Sequence, residues 1–263
     1  MVAPWRRDSY VLGGSAAEVA LIALSPVKLP DPLPVSRARH GMPDEGGGAA
    51  SVSLVARDRA EDPAWFAEQV LAPFVDLIAG DLGAGAAASA LAAAHAYVIE
   101  ARLDDPDDLG HLQAAWALAK CVCEEGAAVV IDVHAARAHL GSDVAALAPD
   151  RGFDVMHEVA LFFDEQPDGL LAAWSLGLRK FGRPDIVLVG VPPDAAADTA
   201  VVLRDIAQTL ADGERLEPGD QVTAPDGRTL TAARFEAEMS SVVRVDGPAL
   251  ILEAALAGAA PEA

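Results

Sequence analysis

Apolar positions along this chain fall into short blocks divided by proline, glycine and acidic breaks. The period inside each block predicts its structure. The clearest block is Ala94–His134. Within it, Ala96–Ala101 is a short, β-rich apolar run that predicts a buried strand. Asp105-Pro106 predicts a helix start, an acid to cap free amides and a proline at the first helical position. Leu109, Leu112, Trp116, Ala119 and Cys123 then recur at steps of three and four, one apolar stripe along that helix. Gly126 stops it and Ala127–Val133 predicts a second strand. A strand–helix–strand of this length predicts a right-handed parallel crossover.

The remaining blocks are weaker. Val19–Leu24 and Ser51–Ala56 predict strands on either side of a proline- and glycine-rich loop, Pro26–Gly48. Asp62-Pro63 opens a second helix with the stripe Phe66, Val70, Phe74 and Leu77, and Pro73 inside it predicts a kink or break near residue 72. Gly80–Gly85 reads as a flexible joint, and Ala135–Gly152 as a polar connection with room for a short helix. Val155–Phe163 and Leu171–Leu178 predict two strands joined by a turn at 164–169, and Ile186–Val191 predicts another. Pro192-Pro193-Asp194 starts a helix through Val202, Leu203, Ile206 and Leu210, ended by Gly213. Pro225-Asp226-Gly227 predicts a hairpin turn, and Val242–Val245 and Ala249–Leu252 two closing segments. Together these predict an α+β fold, a mixed β-sheet with packed helices that includes one strand–helix–strand crossover. Residues 1–83 form an N-terminal strand, loop and helix portion that shares its sheet with a main domain at 84–263, the two compatible with one unit.

Charge changes this picture more than composition does. The net charge is −21, and residues 81–170 alone carry 16 acidic against 4 basic side chains. That surface opposes binding to nucleic acid or an anionic membrane and favours basic protein partners. No segment has a signal peptide's continuous apolar core or the length to span a bilayer, which predicts a cytoplasmic protein. Cys121 and Cys123 point about 200° apart on a helix, so no disulfide between them is expected.

Candidate chemistry is sparse. Arg179, Lys180 and Arg183 cluster beside glycines and form a candidate site for a phosphate or carboxylate, with His40 in its basic loop as a further ligand contact. Asp132 and His134 lie two apart at a strand end, facing one side, and with His139, His157 or Glu158 form a candidate metal set. Their spacing matches no zinc signature. Asp104, Asp105, Asp107 and Asp108 lack the glycine and terminal glutamate of a calcium loop and read as a helix N-terminus. No nucleophile elbow, phosphate-binding loop or dinucleotide fingerprint is present.

The run from Trp174 through Gly177, Phe181, Gly182 and Pro184 to Asp185, followed by a helix and Gly219-Asp220, resembles the bacterial family called domain of unknown function 4261. The resemblance extends over residues 90–235 and implies an α+β fold in a bacterial accessory protein, with no catalytic residues. In physical terms Gly177 and Gly182 supply close backbone approach or positive φ, and Phe181 anchors the turn. The expected function is therefore a non-enzymatic protein-binding module, an immunity, inhibitor or accessory protein, with no cofactor. A metal-assisted hydrolase and a small-anion binder are the alternatives, and a homodimer paired along an exposed strand edge is compatible with the pattern.

Overall fold

Strand β1 (Ala16–Ser25) runs through the middle of the first of two sheets. The computed structural model describes residues 2–44, 48, 51–223 and 227–254. After β1 come helix α1 (Arg37–His40), strand β2 (Ser53–Asp58), the helical arm α2 (Pro63–Trp65), α3 (Ala72–Leu82) and α4 (Ala84–Leu91), and strand β3 (His95–Asp104). Next are α5 (Gly110–Glu124), β4 (Val129–Asp132), β5 (Arg137–Leu140), α6 (Gly141–Ala146) and α7 (Val155–Glu158). The last third holds β6 (Ala160–Glu165), β7 (Leu171–Leu176), β8 (Asp185–Val191), α8 (Ala196–Ala211), β9 (Gln221–Thr223), β10 (Thr229–Arg234) and β11 (Ala249–Ala254). The fold is α+β.

The first sheet has the order β2-β3-β1-β4-β5, with every neighbour antiparallel. Because β3 and β4 are both antiparallel to β1, they are parallel to each other. The expected strand–helix–strand with parallel strands is there, with β1 inserted between its two strands. Alternation along β1 sends Val19, Leu21 and Ala23 to one face, against α5. Ile22 and Leu24 go to the other face, under Phe66, Val70, Ile78 and Ala90 of the helical arm. That arm covers only this end of the face. At the other end Glu18, Ala20, Glu100, Arg102, Ser53 and His134 border an open groove of about 440 Å³.

The second sheet, β6-β7-β8-β11-β10-β9, is mixed, with β8 and β11 parallel. One continuous core joins α5 and the first sheet to α8 and the second, and it includes Trp5 from the N-terminal arm. The stripe of α5 is buried as expected, but so is almost all the rest of its circumference, from Gly110 to Ala117 without a break. Small residues at 114, 115, 117 and 119 let neighbouring elements approach from every side. Both cysteines are free and buried, and burial pushes their pKa values up to about 11 and 12, which makes them poor nucleophiles. Among the described residues no helix is long and apolar enough to cross a membrane.

Several local expectations are corrected. Asp105-Pro106 does not open α5, which starts at Gly110; Asp105 has φ +34° and its carboxylate is taken by distant partners, while Asp108 accepts from Gly110 N at 2.8 Å. Residues 155–158 are the helix α7 rather than strand, because Asp154 caps it by accepting from Met156 N at 2.9 Å. The polar connection after β4 contains the strand β5. Of the kink or break expected near residue 72, the break is absent and an irregularity is present: the chain passes through a π-helical segment, Phe66–Leu71, and continues as α3 from Ala72. The wider turn falls immediately before the residue that lacks an N–H. Residues 242–245 form no strand, although Val243 packs on the outer face of the second sheet. The β9–β10 pairing brackets the expected hairpin turn, of which Pro225 and Asp226 lie outside the described residues.

Candidate functional site

The turn between β7 and β8 carries Lys180 into the centre of the molecule. Gly177 and Gly182 make this possible, with φ of +120° and +64°. A Cβ on Gly177 would strike the Glu158 carbonyl, and one on Gly182 the Ser15 carbonyl. The turn is thereby pressed against both α7 and the start of β1. Between these glycines Leu178, Lys180 and Phe181 are fully buried.

Lys180 Nζ donates to Asp132 Oδ2 at the end of β4 and, at 2.7 Å, to Glu158 Oε2 on α7. All three side chains are sealed from solvent, at 0–1% exposure. Burial works against the Lys180 charge, but the two carboxylates outweigh it and hold its pKa above the usual lysine value. Burial would likewise raise the pKa of Glu158. Lys180 and the His157 contact outweigh that and hold it at about 2. Glu158 Oε1 lies 3.1 Å from His157 Nδ1. The His157 ring in turn packs on Trp116 and His139, with centroids 4.8 and 5.0 Å away. Burial, then His157, pushes the pKa of His139 down to about 4. Beside this cluster lies a cavity of about 250 Å³ bordered by Trp5, Trp116, Phe153, His157 and Glu158.

The predicted anion site does not form, because its three cations diverge. Arg179 pairs with Glu18 and donates to Asp246 O at 3.2 Å, while Lys180 is enclosed as described. Arg183 donates to Asp105 Oδ1 at 2.8 Å and to the carbonyls of Gly182, Val11, Gly213 and Glu214 at 2.7–3.2 Å. His40 is not exposed in its loop but buried, accepting from Ser36 N at 2.9 Å and lying 3.2 Å from Glu124 on α5.

The predicted metal set is half assembled and already neutralised. Asp132 and Glu158 do meet, but the Lys180 ammonium occupies the place between them. His134 follows the end of β4, leaves the face of Asp132 and borders the open groove with Glu18 and Glu100. Among the described residues no group of three or more metal-type side chains is arranged around one point. Arg7 was not singled out from sequence. Buried, it donates to Pro106 O, Phe181 O, Leu210 O and Ala211 O, capping the last carbonyls of α8. In sequence it sits between Arg6 and Asp8 and reads as one charge among others, which gave no signal of this.

Asp185, the last residue of the Trp174–Asp185 run, is buried at the start of β8. It accepts from Ser175 Oγ at 3.0 Å and Leu178 N at 3.2 Å. Burial nevertheless pushes its pKa up from the usual carboxylate value to about 7. A carboxyl whose folded pKa exceeds its unfolded one holds its proton better when folded. Its contribution is therefore complete below the unfolded value near 4 and is lost as pH rises through about 7. Asp185→Asn, which keeps one acceptor and one donor, is expected to flatten that slope. The variant should match the wild type near pH 4 and exceed it at pH 8 by roughly 4 kcal/mol, the free energy of a shift from the usual carboxylate value to about 7. Thermal melts across that range test this; parallel curves for the two proteins would refute it.

Comparison with family models, with curated proteins and with solved structures finds no match for this chain.

Proposed function

We propose that this chain is a non-catalytic protein-binding module that meets a basic partner through its acidic exterior. The reading is carried by where its charges sit. Among the described residues the buried charged side chains are Arg7, Lys180 and Arg183 against Asp132, Glu158 and Asp185. These cancel in formal charge, so the acidic excess lies on side chains with access to solvent. The cations and carboxylates first considered for chemistry are consumed in holding elements together.

The uncovered end of the first sheet is the natural place for contact. Glu18, Glu100 and Asp104 share that face through the pairings Glu18↔Arg102 and Ala20↔Glu100. Arg102 and Arg179 both lie on Glu18, whereas the Glu100 side chain makes no ion pair among the described residues. A lysine or arginine from a partner complements this arrangement, and such contacts weaken with salt.

The test is a tagged pull-down of the full chain from its own cells at low salt, with the retained protein identified and purified. A near-stoichiometric basic protein is expected, its affinity falling as salt rises and falling further for Glu100→Lys/Asp104→Lys. An affinity indifferent to both changes would overturn the electrostatic reading. An empty column would count against any stable partner in those cells.

A further inference from the structure

The cavity beside His157 has the features of a ligand site, and its chemistry is independent of the protein-binding reading. Its walls are aromatic, with Trp5 and Phe153 rings 6.0 Å apart and the Trp116 ring against His157. At about 250 Å³ it is just below the 300–1,000 Å³ range of drug-sized pockets, which fits a single substituted ring. Trp116 Nε1 is buried and has no hydrogen-bond partner among the described residues.

One polar group is held in place with unusual care. Glu158 is 1% exposed, and both of its oxygens are committed, Oε2 to Lys180 and Oε1 to His157. An ionised carboxylate can only accept, so His157 Nδ1 is the donor. In the neutral imidazole this leaves Nε2 as an acceptor, on a side chain that is 29% exposed and borders the cavity. The Asp154 carboxylate also borders it. Asp154 and Glu158 are the charged residues that border the cavity, both acidic, whereas Lys180, Arg137 and Lys120 lie close by without bordering it, bound to Glu158 and to the carbonyls of Met156, His157 and Leu147. Such a site disfavours a carboxylate or phosphate ligand. It favours a positive one, and aromatic walls add cation–π attraction.

We propose that this cavity binds a small planar organic cation, an aryl or heteroaryl amine or amidine, which packs on Trp5, Trp116 and Phe153 and donates an N–H to His157 Nε2. Lys180 and Glu158 are positioning residues for that histidine.

Benzamidine and benzoate, alike in size and opposite in charge, serve as probes. The full chain is titrated with each while tryptophan fluorescence and the side-chain ¹⁵N resonances of His157 are followed. Saturable benzamidine binding is expected, with the His157 Nε2 resonance shifted and benzoate about tenfold weaker or worse. His157→Gln should weaken benzamidine about fivefold, and Ala148→Phe, which fills the cavity, should abolish binding. The wild-type resonance shift decides the matter even if a variant folds poorly. Equal binding of both probes, an unmoved His157 resonance, or no saturation at millimolar benzamidine would overturn the proposal.

Discussion

Lys180→Met is expected to destabilise the protein by about 3–5 kcal/mol, because it leaves Asp132 and Glu158 buried without their counter-charge. For a chain of this size that corresponds to a fall in melting temperature of roughly 6–20 °C. The deficit should depend on pH in a direction that identifies its cause. In the wild type Glu158 has its pKa depressed to about 2, so its contribution is present above the usual carboxylate value and is lost as pH falls through about 2. Without Lys180 the same burial raises the pKa of Glu158, so the variant is penalised most at neutral pH and the gap to wild type narrows on acidification. Adding Asp132→Asn and Glu158→Gln to Lys180→Met removes both charges and should recover much of the loss. Chemical denaturation of the three proteins at pH 4 and pH 7 measures this. A single-variant loss under about 1 kcal/mol, or no recovery in the triple variant, would show that the three groups do not act as one unit.

Arg183→Met should have an effect of similar size for a different reason. The guanidinium ties the Asp105 carboxylate, the N-terminal arm at Val11 and the residues after α8, Gly213 and Glu214, into one joint. Its side chain is 1% exposed, so removal strands several carbonyls and a carboxylate whose pKa is held down at about 2. A loss of about 3–5 kcal/mol is expected. Arg183→Lys should recover little, since a single ammonium cannot reproduce a planar fork that reaches acceptors in several directions. Hydrogen exchange should show protection lost first at residues 9–15 and 210–214, where the joint is made. Uniform loss across the chain, or full rescue by lysine, would argue against this account.

What was legible beforehand can be traced to particular residues. Leu112, Trp116 and Ala119 announced α5 because helical period is a property of neighbours along the chain. Gly177 and Gly182 were readable as tight-turn residues for the same reason, and the structure gives them the positive φ expected. Asp105-Pro106 was misread because a local capping rule competed with Gly13, Gly14, Tyr10 and Arg183, which reach the same carboxylate from far away in sequence. Helix α7 was hidden because four residues are too few to display a period, and its cap, Asp154, is visible only once the backbone turns. Strand β5 was hidden because its alternation is mostly polar.

The candidate site followed the same division. Lys180, Asp132, His157 and Glu158 were all picked out by type, yet in the wrong groupings, as an anion site and a metal site. Lys180 is 48 residues from Asp132 and 22 from Glu158, and no spacing rule reports contacts at that range. By itself the sequence determined the α+β class, most of the strands and helices, and the excess of acid, since each depends on residue type and near neighbours. Only the tertiary structure decided that Asp132 and Glu158 meet on one lysine, and that His157 is set by Glu158 at the edge of an aromatic cavity. Those outcomes depend on which side chains share a water-free interior, where an unpaired charge is too costly to remain and each one must find its partner across the fold.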